Sequence, residues 1–389
     1  MKPCAFAACL TFVSLVLGSR NGGSFNTEQA LPCVVSSINT QHGSTSTLAR
    51  KGSENIVPSS ELKHGRYLKI KKIGQGSFGL VYKASDKQEE VKVALKRIRI
   101  DDEDSEFVSC YAREIFILRQ LKHPNIIRLY GAFFNEWRLT LVFEFVAGTV
   151  ESYLATQNLP LSDEPRKRIT KEQCEVIKAL MYQLLQGLVY LHEKHVIHRD
   201  LKPANLLVSR DGVLKIADLG LALVEAPGRK KIVRGTFIYR SPDAILGNNL
   251  YSYASDMWAV GLIFAELVNG CSIVGRGLLL ANIRNLLGNL DEKSKVFYNT
   301  LFDDLDNESK EGCNRLLGYL PNLDELHWNT TKNYGKDGLD AAVPALDPSG
   351  MNLLKKMLRY HPDDRISASA ALKHPYFDSV RHKFIYKKV

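Results

Sequence analysis

The sequence lacks the cysteine spacing that builds metal sites and disulfide frameworks. Its seven cysteines are scattered along 389 residues, and no two of them form a C-x-x-C pair. Zinc fingers and ribbons need such pairs, and small disulfide-stapled domains need a denser set of cysteines. We therefore expect neither framework. Because 45% of the residues are hydrophobic, the chain has enough apolar material for one large core or two lobes.

Long hydrophobic runs are missing at the N-terminus as well. The apolar run Ala5–Gly18 has 14 residues, whereas a membrane-spanning helix needs about 20. The run follows Lys2 and ends in a small residue, which is typical of a secretory signal peptide cleaved after Gly18. We predict a signal peptide over residues 1–18 and no stable membrane span.

Acidic residues are scarce in the segment that follows. Between Ser19 and Ser60 the only acids are Glu28 and Glu54, and Ser, Thr, Asn and Gly are frequent. We predict that the Ser/Thr-rich residues 19–65 are disordered. A signal peptide followed by such a segment resembles the two-part address of proteins sent to plastids with extra membranes. The alternatives are secretion, or a mis-assigned start and a location in the nucleus or cytoplasm.

The sequence also has few dense basic tracts, although its net charge is +10. The densest are Arg229–Lys231 and the basic tail, residues 378–389. A diffusely basic surface explains this charge better than a nucleic-acid interface does. We therefore predict no nucleic-acid partner.

The chain changes character near Arg66. Residues 67–73, 80–84 and 91–100 alternate like antiparallel strands, and a helix is predicted from about Phe107 to Leu121. Two more β-rich runs end at Val146. From Lys171 onward the pattern is helical, with apolar residues at spacings of three and four. These apolar positions are Val176, Ile177, Leu180, Met181, Leu184, Leu185, Leu188 and Leu191, and later Trp258, Ile263, Phe264 and Leu267.

The segment Gly74–Val81 has the pattern G-x-G-x-x-G-x-V. Glycines at these positions let backbone N–H groups approach phosphates without obstruction by side chains. A dinucleotide-binding turn is the rival interpretation, but such a turn must open a helix. Here residues 80–84 continue as a strand, so the pattern favours a phosphate loop between two strands.

A lysine and a glutamate follow at a suggestive spacing. Lys96 lies in an apolar strand 17 residues after Gly79, and Glu114 lies 18 residues further, within the predicted helix. Taken alone, Lys96 could be a solvated edge residue and Glu114 a surface ion-pair residue. Together they match the pair that holds the α- and β-phosphates of a nucleotide.

The segment His198–Asn205 is the most informative part of the sequence. It places the carboxylate of Asp200, the ammonium of Lys202 and the carboxamide of Asn205 within one short loop. Phosphoryl transfer needs a base for the substrate hydroxyl, a cation near the phosphate and an oxygen ligand for Mg²⁺. Thirteen residues after Asn205, the segment Asp218-Leu219-Gly220 offers a carboxylate as a further candidate metal ligand.

These motifs resemble those of eukaryotic Ser/Thr protein kinases, most of all the cyclin-dependent kinase-like (CMGC) group. The resemblance runs from Tyr67 to Phe377 and implies a kinase domain over residues 66–377. The implied fold is the α+β, bilobal protein kinase fold, with a small β-rich lobe containing one helix and a larger, mainly helical lobe. It implies protein substrates and the cofactors ATP and Mg²⁺.

The resemblance assigns roles to particular residues. Catalysis falls to Asp200, Lys202, Lys96 and Glu114, and metal binding to Asn205 and Asp218. Asp256 would anchor the catalytic loop. The nucleotide would contact Ile73, Gly74, Gln75, Gly76, Ser77, Phe78, Gly79, Leu80, Val81, Ala94, Lys96, Phe143, Glu144 and Val146.

The activation segment departs from the family pattern. Kinases of this group use three arginines to hold a phosphothreonine, and two of them match here, Arg113 and Arg199. The third position is Leu223, and the phosphothreonine position falls on Lys231, which cannot supply a dianion. We predict activation without phosphorylation at that position. The resemblance implies a cyclin-like activator, whereas the unusual segment Val108–Glu114 argues against one.

Other residues concern the choice of substrate, the stability of the helical lobe and the binding of the nucleotide. Gly235, held by Arg240, would form the pocket that accepts proline after the target Ser or Thr. Asp243 replaces the glutamate that pairs with a late arginine, here Arg365, and Thr149 replaces the usual ribose-binding Asp.

Residues 275–347 form a divergent insert without an assigned function. The alternative to an active kinase is a nucleotide-binding scaffold that has lost catalysis.

Overall fold

The computed structural model describes residues 66–76, 79–99, 114–135, 138–224, 235–246, 251–275, 283, 286–288, 290–303 and 338–384. These residues form two compact units. The first unit comprises the described residues up to Lys122 together with Ile127–Val146, and the second comprises His123–Ile126 and the described residues from Ala147 onward. The predicted signal peptide and the segment 19–65 lie outside the described residues.

The first unit is a five-stranded antiparallel sheet with the strand order β1-β2-β3-β5-β4. Its strands are β1 Tyr67–Gly76, β2 Gly79–Asp86, β3 Lys92–Arg99, β4 Leu129–Asn135 and β5 Arg138–Glu144. All five predicted β-runs are therefore confirmed.

Alternation of side chains builds the core of this sheet. Ala84, Val93, Leu95, Phe133 and Val142 are buried together, as the two-residue period of a half-buried strand requires. Tyr67 on β1 stacks on Phe133 of β4, with ring centroids 5.8 Å apart.

One helix follows the third strand in the first unit. Residues 114–120 are helical and form α1, which lies within the helix predicted from Phe107 to Leu121. Ile115, Ile117 and Leu118 of α1 are almost fully buried. Residues 107–113 of the predicted helix lie outside the described residues.

The second unit is mainly helical. Its helices are α2 Val150–Thr156, α3 Lys171–Glu193, α4 Pro242–Leu246, α5 Tyr253–Asn269, α6 Glu292–Asp303, α7 Gly338–Ala342, α8 Pro348–Met357, α9 Ala368–Leu372 and α10 Asp378–Arg381. A sheet-forming first unit and a helical second unit give the α+β protein kinase fold predicted from the sequence.

Helix α3 confirms the apolar pattern read from the sequence. A capping box closes its N-terminus, because Thr170 Oγ1 accepts from Gln173 N while Gln173 Oε1 accepts from Thr170 N. Its apolar side is buried from Ile177 to Leu191. Helix α5, by contrast, is buried on almost every side from Ser255 to Asn269, which fits a helix at the centre of the unit.

Helix α5 is closed at its C-terminus by a distant arginine. Gly270 has a φ of +85°, a left-handed conformation that suits glycine. The Arg166 Nη1 donates to the carbonyl oxygens of Leu267 at 2.9 Å and Val268 at 3.3 Å. These bonds satisfy carbonyls that the helix itself leaves unpaired.

Two small sheets position the loops of the second unit. Strands β6 Gly148–Thr149, β8 Leu206–Val208 and β9 Leu214–Ile216 form one, in the order β6-β8-β9. Strands β7 Val196–Ile197 and β10 Leu223–Val224 form the other. The segment His198–Asn205 runs from β7 to β8, and Asp218 follows shortly after β9.

Within the described ranges, no helix is both long enough and apolar enough to cross a membrane. Parts of the divergent insert 275–347 are described, namely α6 and α7. Most of its remaining residues lie outside the described ranges.

Candidate active site

The loop His198–Asn205 is fixed by a buried carboxylate. Asp256, near the start of α5, accepts from the backbone N–H of His198 at 2.9 Å and of Arg199 at 3.0 Å. Burial alone would raise the pKa of Asp256, but the His192 contact and the loop amides outweigh it and hold this pKa below its ordinary value. Arg199 has a φ of +67°, so the anchored loop includes a strained non-glycine residue.

Asp200 lies at the centre of a hydrogen-bond network in the second unit. Its Oδ1 accepts from both Thr236 N and Thr236 Oγ1, each at 2.7 Å. Its Oδ2 accepts from Lys202 Nζ at 2.8 Å and from Asn205 Nδ2 at 3.1 Å. Since Asp200 is 5% exposed, these four bonds hold its carboxylate in one orientation before any substrate arrives.

Thr236 is a site residue whose contacts the sequence did not reveal. Its hydroxyl also accepts from Lys202 Nζ, at 2.7 Å, so it links the Asp200 carboxylate to the Lys202 ammonium. Thr236 is 36 residues from Asp200 along the chain. Its one sequence signal is its place directly after Gly235, the residue that the resemblance relates to substrate choice.

Asn205 presents the donor set that a hard cation requires. Its Nδ2 donates to the carbonyl oxygen of Asp200 at 2.8 Å as well as to the carboxylate, so its amide oxygen is the end left to a cation. The backbone of Ala217 donates to Asn205 O at 2.9 Å, which joins the loop to the segment carrying Asp218. Amide and carboxylate oxygens are the ligands that Mg²⁺ prefers.

Asp218 adopts a left-handed backbone, with φ 62° and ψ 68°. Such a conformation is uncommon for a residue other than glycine and marks functional sites. The next residue, Leu219, is 1% exposed, so it fills the apolar position after the aspartate. Among the described residues no group of three or more His, Cys, Asp or Glu could hold a metal. Two protein ligands suffice where substrate phosphates and water complete the Mg²⁺ shell.

The first unit brings Lys96 and Glu114 together. Lys96 Nζ lies 3.2 Å from Glu114 Oε1 and 3.5 Å from Oε2. Strand β3 carries the lysine between Val81 on β2 and Leu141 on β5. The Glu114 side chain is 1% exposed and that of Lys96 is 13% exposed, so the pair is screened from water far better than a surface ion pair.

The glycine-rich segment joins β1 to β2. Gly76 pairs with Gly79, and Ser77 and Phe78 between them lie outside the described residues. Gly79 has a φ of +128°, and a Cβ at this position would lie 2.2 Å from the carbonyl oxygen of Arg97. Only glycine fits there. The strand-to-strand connection rules out the dinucleotide-binding interpretation, which requires a following helix.

The remaining predicted nucleotide contacts lie on the same sheet or, for Val146, shortly after its strand β5. Ala94 on β3 pairs with Phe143 on β5, and Phe143 is 8% exposed. Glu144 ends β5, and its Oε1 accepts from the backbone N–H of Arg128 at 2.8 Å. Ile73 is 41% exposed. Gly74, Gln75, Leu80 and Val81 lie on β1 and β2, and Val146 follows β5.

The first unit thus contains a glycine-rich strand connection and a lysine–glutamate pair, and the second contains the buried, hydrogen-bonded Asp200 carboxylate. Residues 67–377 match the family model described as the protein kinase domain. The match covers well over half of the chain, and the chain belongs to the protein kinase domain family. Kinase activity, protein substrates, and the use of ATP with a divalent metal follow from this membership.

The structure contains the ion pair predicted between Asp243 and Arg365. Arg365 Nη2 contacts Asp243 Oδ1, with both side chains almost fully buried. Arg365 also donates to the carbonyl oxygens of Arg359 at 2.8 Å and Ala254 at 3.1 Å. The shorter aspartate therefore still reaches the arginine. This pair ties the segment after the catalytic region to the C-terminal part of the unit.

Arg199 is engaged by groups of the protein itself. Its Nε donates to the carbonyl oxygen of Leu221 at 2.6 Å, and its guanidinium carbon lies 5.5 Å from the ring centroid of Tyr251. Leu223, which occupies the position of the third arginine, is 7% exposed and pairs with Ile197. Arg113 and Lys231 lie outside the described residues.

Thr149 has a local structural role. It is the N-cap of α2, and its Oγ1 accepts from the backbone N–H of Ser152 at 3.4 Å. A side-chain oxygen at this position satisfies an amide that the helix leaves unpaired. The residue in the predicted ribose position thus stabilises the start of a helix.

Proposed function

We propose that this chain is an active, Mg²⁺-dependent Ser/Thr protein kinase of the cyclin-dependent kinase-like group that phosphorylates Ser or Thr followed by proline. The arrangement around Asp200 is the observation that carries the proposal. Its carboxylate is oriented by Thr236, Lys202 and Asn205 through bonds of 2.7–3.1 Å. A kinase that had lost catalysis would have no need of this complete set.

The chemistry follows from these side chains. The substrate hydroxyl oxygen attacks the γ-phosphorus of ATP while its proton passes to the Asp200 carboxylate, and the bond to the β–γ bridging oxygen breaks to release ADP. Lys202, 2.8 Å from Asp200, offers its positive charge to the transferring phosphoryl group. Lys96, positioned by Glu114, holds the α- and β-phosphates. Asn205 and Asp218 would hold Mg²⁺, which would neutralise the negative charge of the phosphates.

The backbone at Gly235 supports a preference for proline. Gly235 has a φ of +99°, and its carbonyl oxygen accepts from Arg240 Nε at 3.1 Å and Nη2 at 2.5 Å. This carbonyl is therefore already bonded when a substrate arrives. A residue with a backbone N–H after the target hydroxyl would lose a hydrogen bond on burial, whereas proline has no N–H to satisfy.

The test is transfer of labelled γ-phosphate from ATP by the full-length chain, with Mg²⁺, on matched Ser-Pro and Ser-Ala peptides. We expect transfer to the Ser-Pro peptide and a loss of about 10²- to 10⁴-fold in Asp200→Asn, the range that a general base contributes. Equal rates on both peptides would contradict proline direction.

ATP binding without transfer by the wild type would favour the nucleotide-binding scaffold. In that case repeating the assay with a cyclin-like activator would separate a missing partner from lost catalysis.

A further inference from the structure

A hydrogen bond connects the end of helix α3 to the anchor of the catalytic loop. His192, in the last turn of α3, has its Nε2 3.0 Å from Asp256 Oδ2. The Asp256 carboxylate is ionised and only accepts, so Nε2 carries the proton and donates. The side chains are 12% exposed for His192 and 1% exposed for Asp256, so water competes little for this bond.

The two carboxylate oxygens of Asp256 accept hydrogen bonds from different donors. Oδ1 accepts from the backbone N–H of Arg199 at 3.0 Å, while Oδ2 accepts from that of His198 at 2.9 Å and from the His192 ring. His192 is therefore the side-chain donor among three donors to one buried carboxylate. Without His192, Oδ2 would keep only the His198 N–H as a donor. A buried carboxylate with too few hydrogen-bond donors is unfavourable, and this cost would destabilise the loop that Asp256 holds.

The next link reaches the catalytic carboxylate. His198 Nδ1 accepts from the backbone N–H of Asp200 at 3.3 Å, and His198 Nε2 donates to the carbonyl oxygen of Ala217 at 3.1 Å. The path from His192 through Asp256 and His198 to Asp200 thus consists of hydrogen bonds within the second unit. Each bond restrains the orientation of the next group.

The ring of His192 is itself held in place. Its centroid lies 4.7 Å from that of Tyr253, and the Tyr253 hydroxyl lies 3.2 Å from Nδ1 of His195. His195 is exposed and has a φ of +56°. It contacts the hydroxyl of Tyr253 and makes none of the three hydrogen bonds to Asp256 described above. His195 therefore provides a matched control close to His192.

We infer that His192 is a positioning residue for phosphoryl transfer, acting through Asp256 on the backbone of His198 and Arg199 and so on the Asp200 carboxylate. This inference rests on the proposed kinase function. The favourable effect of His192 on the pKa of Asp256 agrees with the geometry, because it is the largest contribution that opposes the effect of burial. A displaced catalytic group lowers kcat more than substrate affinity.

The experiment compares His192→Leu, His192→Gln and the control His195→Asn in the full-length chain. Leucine removes the donor, glutamine supplies an N–H of similar reach, and asparagine tolerates the left-handed backbone at residue 195. We expect His192→Leu to lower kcat about 10- to 100-fold with KM values for ATP and peptide nearly unchanged. We expect His192→Gln to recover most of the rate and His195→Asn to match the wild type.

A second measurement separates positioning from activity. Hydrogen exchange at the amides of His198 and Arg199, measured without substrate, should become faster in His192→Leu and return toward wild type in His192→Gln. An unchanged kcat in an active enzyme, or unchanged exchange at both amides, would overturn the inference. Because exchange needs no turnover, it tests His192 even if the wild type transfers no phosphate.

If His192→Leu does not fold, His192→Asn takes its place. Its amide is too short to reach Asp256 as glutamine does, so it should exchange faster and react more slowly than His192→Gln. Equal behaviour of these two variants would overturn the inference.

Discussion

The two units hold their polar groups in different ways. In the second unit, Asp200 accepts four hydrogen bonds from three side chains and one backbone amide, and it is nearly buried. In the first unit, the residues assigned to the nucleotide lie on strands that include an exposed Ile73 and an exposed Gln75. The difference teaches that the fold of the second unit fixes the orientation of the Asp200 carboxylate through hydrogen bonds, whereas strand β1 of the first unit carries exposed side chains.

Breaking the buried Asp243–Arg365 ion pair of the second unit should cause the largest loss of stability. Asp243→Ala leaves Arg365 charged and buried, which costs about 3–5 kcal/mol of folding free energy. Thermal denaturation of the full-length chain checks this. Lys293→Ala removes the exposed pair with Asp364, whose side chains are 55% and 41% exposed, and should change stability by less than about 1 kcal/mol. Similar melting temperatures for both variants would contradict the expectation that the buried pair stabilises the fold more than the exposed pair does.

In the first unit, the prediction concerns the Lys96–Glu114 pair and its role in the use of ATP. Glu114→Gln removes the charge that positions Lys96, and losing a charged hydrogen bond costs about 1.5–3 kcal/mol. We expect kcat/KM for ATP to fall about 10- to 100-fold, because Lys96, which holds the phosphates in the proposed function, is no longer fixed. Steady-state kinetics over a range of ATP concentrations measures it. A variant with wild-type kcat/KM would show that the pair is dispensable.

Gly235→Ala tests whether backbone shape in the second unit sets both rate and specificity. The new Cβ would lie 2.3 Å from the carbonyl oxygen of Arg199, at a φ of +99°. Such strain costs about 1–3 kcal/mol, so we expect a lower kcat and a weaker preference for Ser-Pro over Ser-Ala. Gly288→Ala is the control, since it has a φ of +81° but no atom within 4 Å of the added carbon. The idea fails if both variants behave alike.

Substitution of His123 should have a smaller effect, a change in how the stability of the second unit depends on pH. Burial first, and then Lys215, lower the pKa of His123 to about 4. The unfolded chain binds this proton near pH 6.5 and the folded chain does not, so stability falls as the pH drops from about 6.5 to about 4. We expect His123→Gln to lose stability less steeply over that window. Chemical denaturation at several pH values measures the slope, and equal slopes would refute the assignment.

Treatment of the enzyme with a phosphatase should have the smallest effect, a change in kcat of no more than about twofold. Arg199 already bonds to Leu221 O and packs on Tyr251, so its position does not depend on a phosphate. We expect kcat to stay within about twofold of the untreated enzyme, far below the effect of losing a charge-paired phosphate. Mass spectrometry that finds a required phosphate between Asp218 and Ser241 would rule this out.

The elements that repeat along the sequence were predictable, because their periods are local. The five strands and the buried side of α3 follow from alternation and from three-and-four spacing. The residues of the catalytic loop were recognised because Asp200, Lys202 and Asn205 occupy fixed offsets within one segment.

Contacts across long sequence separations do not follow from the spacing of residues, and the one between Asp243 and Arg365 was expected only because of the family resemblance. Thr236 approaches Asp200 over 36 residues and His192 approaches Asp256 over 64. No period marks either partner. The left-handed backbone at Asp218 was also missed, because aspartate tolerates this conformation without requiring it.

The Asp243–Arg365 pair has a consequence for the order in which the enzyme is made. Every residue assigned to phosphoryl transfer leaves the ribosome well before Arg365 does. At about 5–20 residues per second, the interval between Asp200 and Arg365 is on the order of ten seconds. During that time Asp243 has no arginine to pair with. The second unit therefore gains this buried ion pair only after Arg365 has been synthesised, so we expect the unit to reach its full stability late in translation, long after Asp200 has emerged.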